Sequence, residues 1–393
     1  MTGHTQTSNH PPLPPTTEAD RLAWLRLLRS RRVGPTTFWR LLAEHGSAAA
    51  GLDALPAVAA GAGVEDYRIC PEGVVQAELA AGARAGATLV FRGAPGYPPG
   101  LAEMEDAPPL LWVIGQGALL HRPAVALVGA RNASSLGART ARLLARGLAE
   151  AGWLVVSGLA RGIDAEAHRA ALAGGEAGGT AAVMAGGVDV IYPQENALLA
   201  AEIRDRGVLL SEQPPGMQPQ ARHFPTRNRI VSGMAQGVVV VEAAVKSGSL
   251  ITARCALDQG REVMAVPGHP LDGRAGGCNL LLRDGARLVR NAEDVIEALA
   301  RPEPARPEPA VAVPEAPGRA VQVPPPPPER RSRAETRALH QRILDRLGPV
   351  PVPEDQVIRD LGGQVAQIAP ALTDLELEGR LERRPGGLLS RLS

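Results

Sequence analysis

Short apolar runs separated by helical stretches fill the middle of the chain, and this alternation limits the fold more than any other feature. Nine such runs have the length and β-branched content of buried strands. Apolar and polar residues do not alternate in them, which is typical of strands covered on both faces. The pattern predicts an α/β fold with a doubly wound, mostly parallel sheet of more than six strands. The runs are Thr88–Arg92, Leu110–Ile114, Ala124–Val128, Trp153–Ser157, Thr180–Ala185, Gly207–Ser211, Val238–Val241, Glu262–Val266 and Ala286–Val289.

Glycine-bearing loops follow two neighbouring strands of this sheet. Gly129-Ala130-Arg131 follows the third run, and Gly158–Gly162 follows the fourth. Ligands bind at the carboxyl ends of strands in open parallel sheets, because loop and helix amides point outward there. An arginine in each loop adds positive charge and favours a ligand that carries phosphate. The alternative is that these glycines only permit tight turns and close helix packing.

The segment Arg222–Arg229 combines three arginines with one phenylalanine and contains no acidic residue. A base stacked on Phe224, with arginines on the phosphates, is an arrangement that binds single-stranded nucleic acid. The alternative is a solvated basic helix start whose phenylalanine packs into the core. A third strand-end loop, Val245–Ser249, adds Lys246 and two serine hydroxyls to the same edge if the sheet is parallel.

The charge balance predicts that any nucleic acid meets a local basic patch. The chain has 42 Lys and Arg against 41 Asp and Glu, a formal net charge of +1 that gives no bulk attraction to polyanions. Its three widely spaced cysteines form neither a disulfide framework nor a zinc pattern. No apolar run approaches the ~20 residues that cross a bilayer, and the first residues lack the features of a signal peptide. We therefore expect a cytoplasmic protein without a membrane partner.

Known cofactor and catalytic patterns are missing from the strand-end loops. Neither GxGxxG nor GxxxxGK[ST] occurs, so neither a dinucleotide site nor a Walker-type ATP site is supported. Glu242 could act as a base, but no nucleophile accompanies it, and SGLARG around Ser157 differs from a GxSxG elbow. Asp164 is expected to cap the helix that carries His168. We expect no cofactor and no metal site.

Helical patterning dominates residues 18–87, after a polar and Pro-rich start over residues 1–17 that is typical of disorder. Gly34 is expected to end one helix and Pro35 to begin the next. The pair resembles a helix-hairpin-helix or SAM-like domain, in which amides at the turn meet a phosphate. The alternative is a helical corner that serves as an interaction module.

The carboxyl end contains a spacer and a small domain. Residues 301–333 are dense in Pro, Glu and Arg, with five consecutive prolines at Pro324–Pro328, which predicts an extended linker. Residues 334–393 show three helical segments and a hairpin pattern around Pro385–Gly387, the elements of a winged helix. Because the recognition segment Val365–Leu377 contains no Arg or Lys, we expect this domain to bind protein rather than duplex DNA.

Motifs spread over about 190 residues, from Gly96 to Ala286, resemble the DprA (Smf) family of bacterial DNA-processing proteins. They include VALVGAR, SGLARGID, FPTRNRIVSG and VVVEAAVKSGSLITA in consistent order. The resemblance implies an extended Rossmann-like domain over residues 88–300 that binds and protects single-stranded DNA and loads the recombinase RecA during natural transformation. It also implies a homodimer that is not an enzyme. The tail is similar to the winged-helix domain of some family members.

The same resemblance assigns the DNA-binding residues motif by motif. The residues carried over are Arg131, Ser157, Gly158, Arg161, Arg222, Phe224, Arg227, Asn228, Arg229, Lys246, Gly248 and Ser249. No motif identifies the residues that form the dimer or contact RecA.

An enzyme of the same fold is the alternative function. Nucleotide phosphoribohydrolases of the LOG or lysine-decarboxylase-like type resemble this chain in fold, and their PGGxGTxxE loop supplies a catalytic glutamate. Aligning Gly248-Ser249 with the GT of that loop places Thr252 where the glutamate stands. Because threonine cannot act as a carboxylate base, the binding protein is the favoured interpretation.

Overall fold

Nine strands form one sheet in the computed structural model, which describes residues 14–175, 178–300, 333–347, 352–361, 368, 371–372, 375–376, 380–384 and 388–391. The strands are β1 (Thr88–Phe91), β2 (Leu110–Gly115), β3 (Ala124–Gly129), β4 (Leu154–Ser157), β5 (Gly179–Val183), β6 (Val208–Ser211), β7 (Gly237–Glu242), β8 (Glu262–Ala265) and β9 (Arg287–Leu288). They lie in the order β1-β2-β6-β5-β4-β3-β7-β8-β9. The β1–β2 and β2–β6 pairs are antiparallel, and the pairs from β6 to β9 are parallel. The predicted large and mostly parallel sheet is confirmed.

Four helices precede the sheet: α1 (Glu18–Arg29), α2 (Pro35–His45), α3 (Ala48–Gly61) and α4 (Glu72–Ala85). Edge-to-face aromatic contacts join α1 to α2 and to β1, since the Trp24 ring centroid lies 5.1 Å from that of Phe38 and 5.8 Å from that of Phe91 in β1. Such pairs add ~0.5–1.5 kcal/mol beyond the burial of their surface. Pro35 begins α2 as predicted. Gly34 does not end α1, which stops at Arg29, and instead is the N-cap of α2.

A mostly buried ion pair joins these helices to the sheet. Arg29 donates to both carboxylate oxygens of Glu78, at 2.9 and 2.8 Å, and to the main-chain oxygen of Glu212 at 3.2 Å. Trp112 in β2 donates its indole N–H to Glu78 at 2.9 Å. The carboxylate therefore has partners on both sides, and the helices and the sheet belong to one compact unit, Met1–Arg306.

Helices cover both faces of the sheet. The elements that follow β1 are α5 (Pro99–Ala102), α6 (Ser135–Glu150), α7 (Ile163–Ala173), α8 (Ala197–Arg206), α9 (His223–Met234), α10 (Ser249–Asp258), α11 (Gly276–Arg283) and α12 (Ala292–Leu299). Alternate side chains of a strand point to opposite faces. In β3, Ala126 and Val128 pack in one apolar layer with α9 and α10, whereas Val125 and Leu127 pack in another with α6 and α7. The doubly wound arrangement is confirmed.

The second compact unit, Pro307–Ser393, contains a small helical and antiparallel β fold. Its elements are α13 (Arg333–Arg346), β10 (Val352–Pro353), α14 (Glu354–Asp360), β11 (Leu381–Arg384) and β12 (Leu388–Arg391), with the strands in the order β10-β12-β11. Ile343, Leu372 and Leu389 are buried together in its core. Helices followed by a hairpin match the winged helix that the sequence predicts.

Several predicted features lie outside the described residues. They are residues 1–13 of the amino-terminal tail, residues 301–332 of the linker, most of the segment Val365–Leu377, and the hairpin turn Pro385–Gly387. Within the described ranges, no helix combines the length and the apolar character that crossing a membrane requires.

Candidate functional site

A cavity of about 680 Å³, here called the main cavity, lies at the carboxyl ends of β3, β4 and β7. A smaller one of about 250 Å³, the side cavity, adjoins it and shares Arg131, Gly158 and Phe224 with it. The main cavity is lined by the loops after these three strands, by α9, by the start of α10 and by Arg274 from the loop after β8. Of the residues predicted for the site, the two cavities bring together Arg131, Gly158, Arg161, Phe224, Arg227, Asn228, Lys246, Gly248 and Ser249.

Phe224 lies in the wall of both cavities and not in the core. The guanidinium carbon of Arg131 is 5.3 Å from the centroid of the Phe224 ring. The Tyr192 ring meets the same ring edge to face, with centroids 5.8 Å apart. A cation over an aromatic face is worth ~0.5–1 kcal/mol at an exposed site. The alternative in which Phe224 packs into the core is therefore wrong.

Three exposed cations line the main cavity: Arg131, Lys246 and Arg274. In the part of the chain that the structure describes, none of them forms an ion pair with a carboxylate. Arg161 differs, because its Nε lies 3.2 Å from a carboxylate oxygen of Glu195. Uncompensated cations around a concave surface raise the local positive potential and attract anions. The main cavity therefore provides the local basic patch that a nearly neutral chain requires.

Arg227 forms the floor of the main cavity and is only 7% exposed. It donates to the main-chain oxygens of Gly158 and Val183, the latter at 3.0 Å. Burial lowers the pKa of this guanidinium, and the nearby carboxylate of Asp164 opposes that effect. Arg227 is therefore a positioning group that fixes the loop after β4, and its charge is partly offset inside the protein.

Asp164 organises the same loop. Its Oδ2 accepts hydrogen bonds from the amides of Gly158 at 3.1 Å and Ala160 at 3.3 Å. Burial raises the pKa of Asp164, while the charge of Arg227 acts to lower it. The expectation that Asp164 caps its helix is wrong, because it lies in the first turn of α7 and the N-cap is Gly162. Its carboxylate binds loop amides instead.

His168 also forms hydrogen bonds that hold the loop after β4 in place. Its Nε2 accepts from the amide of Leu159 at 3.3 Å, and its Nδ1 lies 2.6 Å from the hydroxyl of Thr180. That hydroxyl donates to the main-chain oxygen of Val155, so Nδ1 carries the proton between them. Burial, followed by the charges of Arg227 and Arg169, lowers the pKa of His168 to about 3. The ring is therefore neutral near pH 7.

Protein carboxylates already occupy the amides at two of the strand-end loops. Glu242, at the end of β7, accepts from the amide of Ser134 at 3.0 Å and from its hydroxyl, at the start of α6. Asp164 does the same for the loop after β4. The expectation that amides point outward unpaired is therefore wrong for Ser134 after β3 and for Gly158 and Ala160 after β4. An anion in the main cavity would meet side-chain cations rather than these amides.

Three predicted site residues do not line either cavity. Ser157 is buried and donates its hydroxyl to the main-chain oxygen of Leu127 at 2.6 Å. Arg222 is exposed at the start of α9, where its Nε lies 3.4 Å from His223.

Arg229 is the third of these residues, and it pairs with Glu212 at 2.6 Å beside a different cavity. Arg227 and Arg229 are two residues apart on one helix, so their side chains leave it on nearly opposite sides.

Comparison with known proteins gives a consistent result along the chain. The model of a family described as DNA recombination-mediator protein A matches residues 88–300. A DprA-like N-terminal HHH domain matches residues 18–81, and a DprA winged helix domain matches residues 324–387. Together these models span the helical, α/β and winged-helix parts of the chain.

Similar proteins and a solved structure point to the same family as these models. The protein Smf of Escherichia coli (strain K12) is 39% identical over 292 residues, which is 74% of each chain. The DNA processing protein DprA of Streptococcus pneumoniae is 48% identical over 200 residues, covering 51% of this chain and 70% of the relative. The X-ray structure of DNA processing protein A from Streptococcus pneumoniae has a TM-score of 0.54 and 36% identity, covering 67% of this chain and 98% of that one.

Proposed function

Because the chain belongs to the DprA (Smf) family of DNA recombination-mediator proteins, we propose that it binds and protects single-stranded DNA and loads RecA onto it during natural transformation. The family description as a recombination mediator supports the transfer of the strand to a recombinase. We also propose that the protein acts as a homodimer and by binding rather than by catalysis. The winged-helix unit is proposed to contact protein.

The main cavity carries this proposal. It combines the uncompensated cations Arg131, Lys246 and Arg274 with the ring of Phe224. The cations bind phosphates, and an unpaired base stacks on the aromatic face. Proteins that bind single strands without sequence preference generally combine these two contacts. A base inside a duplex cannot reach that ring without leaving its stack. The cavity therefore favours single strands over duplex DNA.

The geometry divides the predicted residues by role. Arg131 and Lys246 are proposed to hold phosphates, with Arg274 as a further contact that the motifs did not indicate. Phe224 is proposed to stack a base. Arg227 and Gly158 shape the floor, and Arg229 is proposed to act on stability alone because it lies beside another cavity.

No observation favours the nucleotide phosphoribohydrolase. Thr252, which aligns with the catalytic glutamate of those enzymes, is buried in the wall of the main cavity. The carboxylate that lines the cavity, Asp164, already accepts two main-chain hydrogen bonds. Incubation with nucleoside monophosphates is expected to release no free base, and release at a catalytic rate would favour the enzyme.

A salt titration tests the proposed function. With about three phosphates neutralised by Arg131, Lys246 and Arg274, log K for a labelled dT oligonucleotide should fall with log salt at a slope of about −2. A duplex of matched length should bind more weakly at every salt concentration. Fluorescence anisotropy measures the affinity for both oligonucleotides. A slope near zero, or equal affinity for the duplex, would contradict the proposal.

The RecA step is tested by the rate of RecA filament formation on the coated strand, which the protein should increase.

Arg229→Ala should destabilise the protein and leave its affinity for single-stranded DNA unchanged. Burial raises the pKa of Glu212 even though Arg229 acts to lower it, so the substitution leaves a buried carboxylate without its principal partner. We expect a loss of about 3 kcal/mol in the free energy of unfolding, measured by denaturant titration. Arg254→Ala, an exposed change on α10, is the control. A loss of DNA affinity with unchanged stability would show that Arg229 contacts the strand.

A further inference from the structure

Tyr192 is unusually exposed for an aromatic residue of this chain. The sequence has three Phe, three Tyr and four Trp, all within the described ranges. Tyr192 is 50% exposed, whereas Phe38, Phe91 and Tyr97 are at most 4% exposed. An aromatic ring left in water loses the burial that stabilises such side chains elsewhere in the fold. Its exposure leaves the ring accessible to a ligand.

Tyr192 lies at the side cavity, next to the ring proposed to stack a base. The centroids of Tyr192 and Phe224 are 5.8 Å apart, with an angle of 62° between the ring planes. Stacked nucleotides of one strand are about 3.4 Å apart along a duplex, and an extended single strand separates them further. The two rings are therefore close enough for neighbouring nucleotides of one strand to reach both of them.

We propose that the side cavity is a second base site, in which Tyr192 stacks the nucleotide adjacent to the one on Phe224. This inference rests on the proposed binding of single-stranded DNA. Every base has a flat π face, so the site accepts any base, as stacking sites generally do. Its volume of about 250 Å³ is less than half that of the main cavity, which has about 680 Å³.

The charges at the side cavity suit a nucleotide. Arg131 lines both cavities and is therefore available to a phosphate in either of them. Arg161 pairs with Glu195 at 3.2 Å, but both side chains are more than half exposed. An exposed pair of this kind contributes only ~0–1 kcal/mol. A phosphate can therefore compete with Glu195 for the guanidinium of Arg161.

The opposing explanation is that Tyr192 only supports Phe224 from the side. Two substitutions separate these roles. Tyr192→Leu keeps an apolar side chain against Phe224 but removes the stacking face, and Tyr192→Phe keeps the ring while removing the hydroxyl. We expect Tyr192→Phe to behave like the parent protein and Tyr192→Leu to lose the second base site alone.

The experiment uses oligonucleotides of one length in which all positions are abasic except one or two thymidines. The parent protein should bind the oligonucleotide with two adjacent bases at least about fivefold more tightly than the one with a single base. The gain should be smaller when four abasic positions separate the two bases. Tyr192→Leu should abolish the gain and keep the affinity for the single-base oligonucleotide, because that base still stacks on Phe224.

Two results would overturn the inference. The first is a gain from the second base that persists in Tyr192→Leu. The second is an equal loss for single-base and two-base oligonucleotides, which would assign Tyr192 a supporting role only. Titration of the parent protein with intact oligo-dT is the reference: if that titration shows no binding, the proposed function fails together with the inference.

Discussion

Arg131→Ala is expected to lower the affinity for single-stranded DNA by about 10- to 100-fold, the equivalent of one charge-assisted hydrogen bond of ~1.5–3 kcal/mol. Arg131 lines both cavities, forms no ion pair within the described ranges, and lies over the ring of Phe224. Its removal takes away one phosphate contact and one cation beside the stacked base. The slope of log K against log salt should therefore become less steep by about 0.7. Anisotropy titrations at several salt concentrations measure both effects.

Arg139→Ala is the matched control for this substitution. Arg139 is exposed on α6, eight residues further along the chain, and lines neither cavity. The net charge of the protein changes equally in both variants. Equal losses of affinity would mean that the overall charge, and not the main cavity, determines binding.

The fold was largely predictable because its signals are local. A short run of β-branched and apolar residues predicts a buried strand, and the run Thr180–Ala185 became β5 (Gly179–Val183). The order of strands was not predictable in the same way. The pairing of β2 with β6 joins segments almost 100 residues apart, and no local property of Leu110–Gly115 encodes that partner.

The candidate site was predictable only in part, for reasons that differ between residues. The carboxyl ends of parallel strands share an edge, which brought Arg131 and Lys246 together as expected. Helical phase separated Arg229 from Arg227, although both belong to one motif. Tyr192 and Arg274 come from irregular segments after β5 and β8, where no sequence periodicity indicates which way a side chain points. Only the folded chain shows that they reach the cavities.

Gly158→Ala should lower the free energy of unfolding by about 3–5 kcal/mol, the cost of disrupting a buried charge and its partners. A Cβ atom on residue 158 would lie 1.7 Å from Nη1 of Arg227 and 2.2 Å from its Cζ. Arg227 cannot move aside without giving up the main-chain oxygens of Gly158 and Val183. Asp164 would then remain buried without the positive charge that faces it. Denaturant unfolding measures the loss.

A double-mutant cycle tests whether this clash is the cause. If it is, Gly158→Ala should cost little once Arg227→Leu has removed the guanidinium, so the two losses should not add. Gly73→Ala is the control for a glycine change as such, because a Cβ there would meet no atom within 4 Å. Additive losses would mean that Gly158→Ala destabilises the protein through the backbone of the loop and not through the clash with Arg227. Non-additive losses would show that residue 158 is glycine because the buried arginine, rather than a ligand, occupies the space beside it.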